Sequence, residues 1–184
     1  MKSNQFPGRA LVIGLAFLVP LACHASDGTV QINGTITNET CSIAGSGGPG
    51  ANVSVTLPKI STSTLNAANA TAGNTQFSIA LTGCQNVTAG TVSAYFEIDT
   101  TKVNLATGRL INSGTAGTNV EIELLNSGFQ TMNLAQNSGG QSSSSVTLSG
   151  GAGTLVYYAR YHAIAPVTLA GTVIASTTFT IVYP

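Results

Sequence analysis

Few side chains in this sequence have the chemistry of an acid, a base or a metal ligand, and each has a plainer reading beside it. His162 sits in an alternating run with Arg160 on the same parity. A serine–histidine–acid relay would have to use it as its base, yet a histidine on the polar side of a strand is ordinarily just solvated. Glu97/Asp99 and Glu121/Glu123 are carboxylate pairs at i, i+2, so each pair projects from one face of a strand. Such pairs can work as acid and base or hold Ca²⁺, but opposite an apolar row they read as the wet side of a sheet. No glycine loop leads into a helix to cradle phosphate. Asn38-Glu39-Thr40 fits a glycosylation acceptor, a pattern that chance supplies freely in a chain so rich in Asn and Thr. This inventory argues against an enzyme, and neither a cofactor nor a metal is expected.

The cysteines are more informative. Lys2 and Arg9 precede an apolar run from Ala10 to Cys23 that only Gly14 and Pro20 interrupt. Fourteen residues are too few for a helix to span a bilayer, which takes about 20. With small residues at Cys23-His24-Ala25 the run matches a secretory signal, residues 1–25, cleaved after Ala25. A lipoprotein reading of Leu21-Ala22-Cys23 is the rival, weakened by Pro20 where such a signal prefers Leu. Cleavage removes Cys23 and leaves an even pair, Cys41 and Cys84. In an oxidising compartment the pair points to a disulfide. Two buried free thiols are the alternative, and zinc is a poorer one, since only His162 remains as a further soft ligand.

Composition narrows the class. Of 184 residues, 7% are charged, with six basic against six acidic side chains. A nucleic-acid binder needs a basic stripe to neutralise phosphates, and none is present. The 43% apolar content with no net charge favours collapse into a core over disorder.

The elements that must carry these residues have period two. Val30, Ile32, Gly34 and Ile36 share one parity. Val53, Val55 and Leu57 repeat the pattern until Pro58, and Phe77, Ile79 and Leu81 lead to Gly83-Cys84. Further alternation occurs at Phe96/Ile98, at Val120/Ile122/Leu124, at Val146/Leu148, from Leu155 to Tyr161, and at Phe179/Ile181/Tyr183. Seven or more short strands separated by Gly, Ser, Asn and Thr predict an all-β antiparallel sandwich, one domain without a second. Loops are expected over 45–52, 61–75, 137–143 and 150–153. The first strand is odd: Gly34 interrupts its apolar row. Either it is an ordinary strand with a bend at Gly34, or it leaves its own domain and completes another.

Several segments resemble a type 1-like pilin, a subunit of chaperone–usher fimbriae. They are Gly28 to Ile36 with Cys41-Ser-Ile43, Phe77 to Cys84, Tyr158-Ala-Arg-Tyr161, Gly171-Thr-Val173, and the ending Phe179 to Pro184 with its penultimate Tyr183. They run from one end of the mature chain to the other. The resemblance implies an incomplete immunoglobulin-like β-sandwich lacking its last strand and completed by a donor strand. It implies a donor-strand extension over residues 26–37, with Val30, Ile32, Gly34 and Ile36 as its inserting residues, ahead of a pilin domain over 38–184. Phe179, Ile181 and Tyr183 would lie on the strand bordering the groove, with Pro184 as the chaperone anchor. Cys41–Cys84 would be the family disulfide joining the first two core strands.

The function implied is that of a structural fimbrial subunit, folded with a periplasmic chaperone, handed to an outer-membrane usher and polymerised with neighbouring subunits at the surface of a Gram-negative cell. With 15 residues between the cut and Cys41, the extension resembles those of minor or adaptor subunits as much as those of rod subunits. The competing reading from a different class is a single-domain secreted adhesin that binds sugar through loops such as 61–75.

Overall fold

A computed structural model describes residues 30–34, 36, 38–87, 90–117 and 119–184. The expected leader and the first residues of the extension lie outside the described residues. The chain forms two units, Met1–Ile36 and Thr37–Pro184. In the described part of the first, residues 30–34 and 36 make no ladder, and Val30, Ile32 and Ile36 are 87%, 88% and 101% exposed.

The second unit is built of antiparallel strands: β1 (Thr40–Gly45), β2 (Thr71–Gln85), β3 (Thr91–Phe96), β4 (Val103–Asn104), β5 (Arg109–Ile111), β6 (Val120–Leu125), β7 (Ser145–Thr147), β8 (Gly153–Ala163) and β9 (Phe179–Val182), with one 3-10 turn at Thr62–Leu65. They form two sheets, one ordered β1-β2-β8-β6-β5-β4 and one ordered β7-β3-β9. Alternation decides which side chains go inside. Ile79 and Leu81 of β2, Val92 and Phe96 of β3, Ile122 and Leu124 of β6, and Leu155 and Tyr157 of β8 meet in one core. Tyr157 is fully buried at its centre, stacked on Phe77 and edge-on to Phe96 with ring centroids 5.4 and 5.3 Å away. Its hydroxyl pairs with Ser143 Oγ at 2.9 Å, so the phenol is not left unsatisfied. The immunoglobulin-like sandwich is thus assembled from the rows the sequence displays.

Four local expectations are corrected. The strand placed at Phe96–Asp99 ends at Phe96, because the Gln141 side chain takes over both backbone groups of Phe96, accepting from its N–H at 3.0 Å and donating to its carbonyl at 2.6 Å. The loop expected over 61–75 is shorter, since β2 already starts at Thr71 and absorbs Gly73 (φ 75°) as a bulge between Ala72 and Thr75. There a Cβ would come within 3.1 Å of the Tyr161 ring. Residues 53–57 keep their alternation of half-buried and exposed side chains but form no strand beyond a single bridge, Gly47 to Val53.

The fourth correction concerns polarity. Glu121, Glu123 and His162, expected on a wet face, are 4%, 1% and 4% exposed. β6 lies between β8 and β5, opposite partners with long polar side chains: Glu121 is in register with His162, and Glu123 with Arg160. Those side chains close over one another.

Candidate functional site: an open apolar cleft

Two extended segments flank a cleft of about 710 Å³. One is the continuation of β1 through Val53, Val55 and Leu57, and the other runs from Val173 to Phe179 into β9. Phe77, Ile79, Phe96, Ile122, Leu124 and Tyr161 line its interior.

Each flank bonds on its far side. Thr172 O accepts from Ala116 N at 2.9 Å, Ile174 O from Ser113 N at 2.8 Å, and Thr178 O from Glu97 N at 2.9 Å. Ile174 N donates to Asn112 Oδ1 at 3.0 Å. In an extended chain alternate residues turn their backbone groups to opposite edges. Residues 173, 175, 177 and 179 therefore direct theirs toward the cleft, along with their inward side chains. On the other flank Ser54 N donates to Ser46 O at 3.0 Å, which by the same alternation leaves 53, 55 and 57 facing inward. The cleft is thus lined by apolar side chains and rimmed by two rows of backbone donors and acceptors, a template for one more strand.

Its lining carries no formal charge. Tyr161 is the titratable side chain in it, and burial pushes that phenol up, so it stays neutral. Such a site has nothing with which to move a proton or grip an ion; it can take up an uncharged, extended, apolar segment.

The residues singled out in the sequence divide between this site and elsewhere. Phe179 lines the cleft. Ile181 is buried in the main core, Tyr183 packs against that core half-buried, and Pro184 is exposed beside Gly90. Cys41 and Cys84 form a disulfide that staples β1 to β2. The row Val173, Ala175, Thr177 was missed, although it has period two, because alanine and threonine give a weak apolar signal. Glu97 and Asp99 do not converge: Glu97 Oε1 accepts from Thr180 Oγ1 at 2.6 Å. Asp99 instead holds a turn, and hydrogen bonds from Thr101 and Lys102 lower its carboxyl.

The buried polar group is well away from catalytic geometry too. Arg109 Nε and Arg160 Nε donate to the two oxygens of Glu123 at 2.8 and 2.7 Å. Asn104 Nδ2 donates to Glu121 Oε1 at 2.7 Å. Burial alone raises the Glu123 carboxyl, but the two guanidinium bonds outweigh it and hold the group below its ordinary value. Burial, then Arg109, lowers His162 and keeps it neutral.

A sandwich with an open apolar cleft between two extended segments calls for comparison with known proteins. The family model described as "Fimbrial protein" matches residues 30–184. The chain belongs to that family. Among relatives, the major fimbrial subunit SMF-1 of Stenotrophomonas maltophilia (strain K279a) is 42% identical over 170 residues, covering 89% of this chain and 96% of the relative. The F17 fimbrial protein of Escherichia coli is 36% identical over 167 residues, covering 88% and 90%. A subunit in the structure of a chaperone–usher pilus superposes with a TM-score of 0.58 at 26% identity, over 86% of this chain and 96% of that one. The P pilus rod subunit PapA superposes at 0.57 and, at 22% identity, shows a shared fold. The protein is therefore a structural subunit of a fimbria, a surface polymer made with other subunits.

Proposed function

We propose that this fimbrial subunit polymerises by donor-strand exchange, with residues 26–37 of each copy filling the cleft of the copy before it. The observation that carries this reading is the pairing of two complementary defects. The unit Thr37–Pro184 has an apolar cleft rimmed by two inward-facing backbone edges. The described part of the preceding unit exposes Val30, Ile32 and Ile36 in one alternating row. Lengths agree: the seven residues from Val30 to Ile36 and the seven from Val173 to Phe179 each extend about 23 Å at ~3.3 Å per residue. Burying the three aliphatic side chains contributes roughly 5–8 kcal/mol at 1.5–3 kcal/mol each, and each backbone bond gained adds about 1 kcal/mol. Gly34 passes over the cleft without a side chain to accommodate.

An empty cleft is also an aggregation hazard. This supports transient occupation by a periplasmic chaperone, anchored at the Pro184 carboxylate beside Phe179, Ile181 and Tyr183. An outer-membrane usher then exchanges the chaperone's strand for the next subunit's extension. Residues 1–25 serve as the export signal, and the chain performs no catalysis. Similarity to a relative named as a major subunit favours a rod role over an adaptor role.

The deciding experiment melts mature protein lacking residues 26–37 with and without a synthetic peptide of those residues. The truncated domain is expected to be marginal alone and to gain tens of degrees with the peptide. A domain that is stable alone and indifferent to the peptide would end the donor-strand reading.

A further inference from the structure

The domain has two distinct poles. At one, β1 begins: Thr40 pairs with Gln85, Asn86 Nδ2 donates to Asn38 O at 3.2 Å, and Pro184 lies beside Gly90. The chain's own extension leaves here. At the other, far pole, Ala163 pairs with Val120, Ile164 N donates to Asn119 O at 2.9 Å, and the chain turns through 164–172 before lining the cleft. This far pole carries Ile164, Leu169 and Ile174, which are 40%, 58% and 56% exposed. Leu169 borders a hollow of about 110 Å³ formed with Ala116, Gly117, Asn119, Val167 and Thr168. Ile174 also lines the cleft.

The donor strand's direction follows from these poles. Residues 40 to 58 run from the exit pole toward the far pole, where Pro58 O accepts from the Tyr161 hydroxyl, while 173 to 182 run back. A strand laid between them has two choices. Only four peptide steps, at most about 14 Å, separate Ile36 from Thr40, so the domain that follows a donor strand is held against whichever pole the strand's end reaches. If that were the exit pole, two domains of about 15 Å radius of gyration, the predecessor and the successor, would compete for one surface. The strand's end therefore lies at the far pole, antiparallel to 173–182.

We infer that the patch Ile164–Leu169–Ile174 is a docking surface for the exit pole of the next copy of this chain, a contact added to the inserted strand. This rests on the donor-strand reading, and the two can fail separately. Ile164 and Leu169 are exposed aliphatic side chains about one neighbour, Asn119, whose carbonyl accepts from Ile164 N and which lines the hollow beside Leu169. Grouped apolar exposure of this kind marks an interface, and the tether brings a specific body to it.

The test compares full mature protein with the double variant Ile164→Asp/Leu169→Asp in two assays. One is uptake of a labelled peptide of residues 26–37, which reads the cleft and the integrity of the fold. The other is the rate and length of polymer formation from whole subunits. The expected result is peptide uptake within twofold of the parent and polymerisation slowed about tenfold. Unchanged polymerisation would overturn the docking surface. So would an equal loss of peptide uptake and polymerisation, because the substitutions would then be acting through the cleft. Failure of the parent protein to take up the peptide would sink the donor-strand reading itself, and the docking surface with it.

Discussion

On one flank of the domain Glu123 is 1% exposed, and a guanidinium meets each of its oxygens. On the other, residues 173–179 and 53–57 turn apolar side chains and backbone groups into an open cleft. Both regions hold groups that water would otherwise satisfy. The first is closed by residues of the same domain, β5 and β8 supplying the cations. The second is left open by the residues of its own domain. A buried carboxylate whose two oxygens are both met by guanidinium groups of its own domain belongs to the stability of the fold, even though Glu121 Oε2 and His162 Nδ1 beside it are buried without a hydrogen-bond partner. An open apolar surface has no such closure within the domain. The distinction yields predictions of different kinds for the two flanks.

The largest expected effect is on the assembly side. Ile32→Asp should abolish attachment of the subunit to its predecessor while leaving its own melting temperature nearly unchanged, because Ile32 is 88% exposed in its own chain. Negative-stain microscopy and melting together check this; fimbriae of normal length from the variant would refute it. Next comes Cys41→Ser. The disulfide closes a loop of 43 residues, worth roughly 4 kcal/mol in the chain-entropy account. Folded yield and melting temperature should both drop, and equal values would show the bond to be dispensable.

The smallest effect, on the polar flank, is a pH dependence. His162 and Glu123 both have folded-state values below their ordinary 6.5 and 4.5. Each therefore contributes stability that is complete above its unfolded value and is lost as pH falls through the folded one. The melting temperature should decline in two stages, one below about 6.5 and one below about 4.5. Glu123→Gln should lower the plateau, flatten the second stage and, by removing a charge that raises His162, move the first stage to lower pH. A second stage surviving in Glu123→Gln would assign that titration elsewhere.

What could be read from the sequence follows the range of the interactions involved. β2, β6, β8 and β9 were legible because large aliphatic and aromatic residues alternate in each, a purely local signal. The cysteine pair was legible from the count that remains once Cys23 is removed. The polar flank was not: Glu123 is met by residues 14 and 37 positions away, so nothing near it distinguishes a buried carboxylate from a wet one. The end of β3 was set by Gln141, 45 residues downstream, and β4 and β5 are too short to show a period. In the cleft, Val53, Val55 and Leu57 were legible as an alternating row. That the row makes no ladder depends on the absence of a partner among the described residues, which a sequence does not display.

The staple between Cys41 and Cys84 has a mechanical consequence. If subunits are joined by donor-strand exchange as proposed, pulling a fimbria along its length loads each domain through the chain just ahead of Thr40, at the start of β1, an outermost strand of its sheet. An outermost strand loaded from its tip would unzip one hydrogen bond after another, the weakest way for a sheet to carry load. A covalent link at its second residue halts such peeling almost at once and transfers the force to β2, whose 15 residues are laced to β8 along most of their length. There many bonds must shear together, so the staple lets the domain bear load as a unit instead of peeling from its edge.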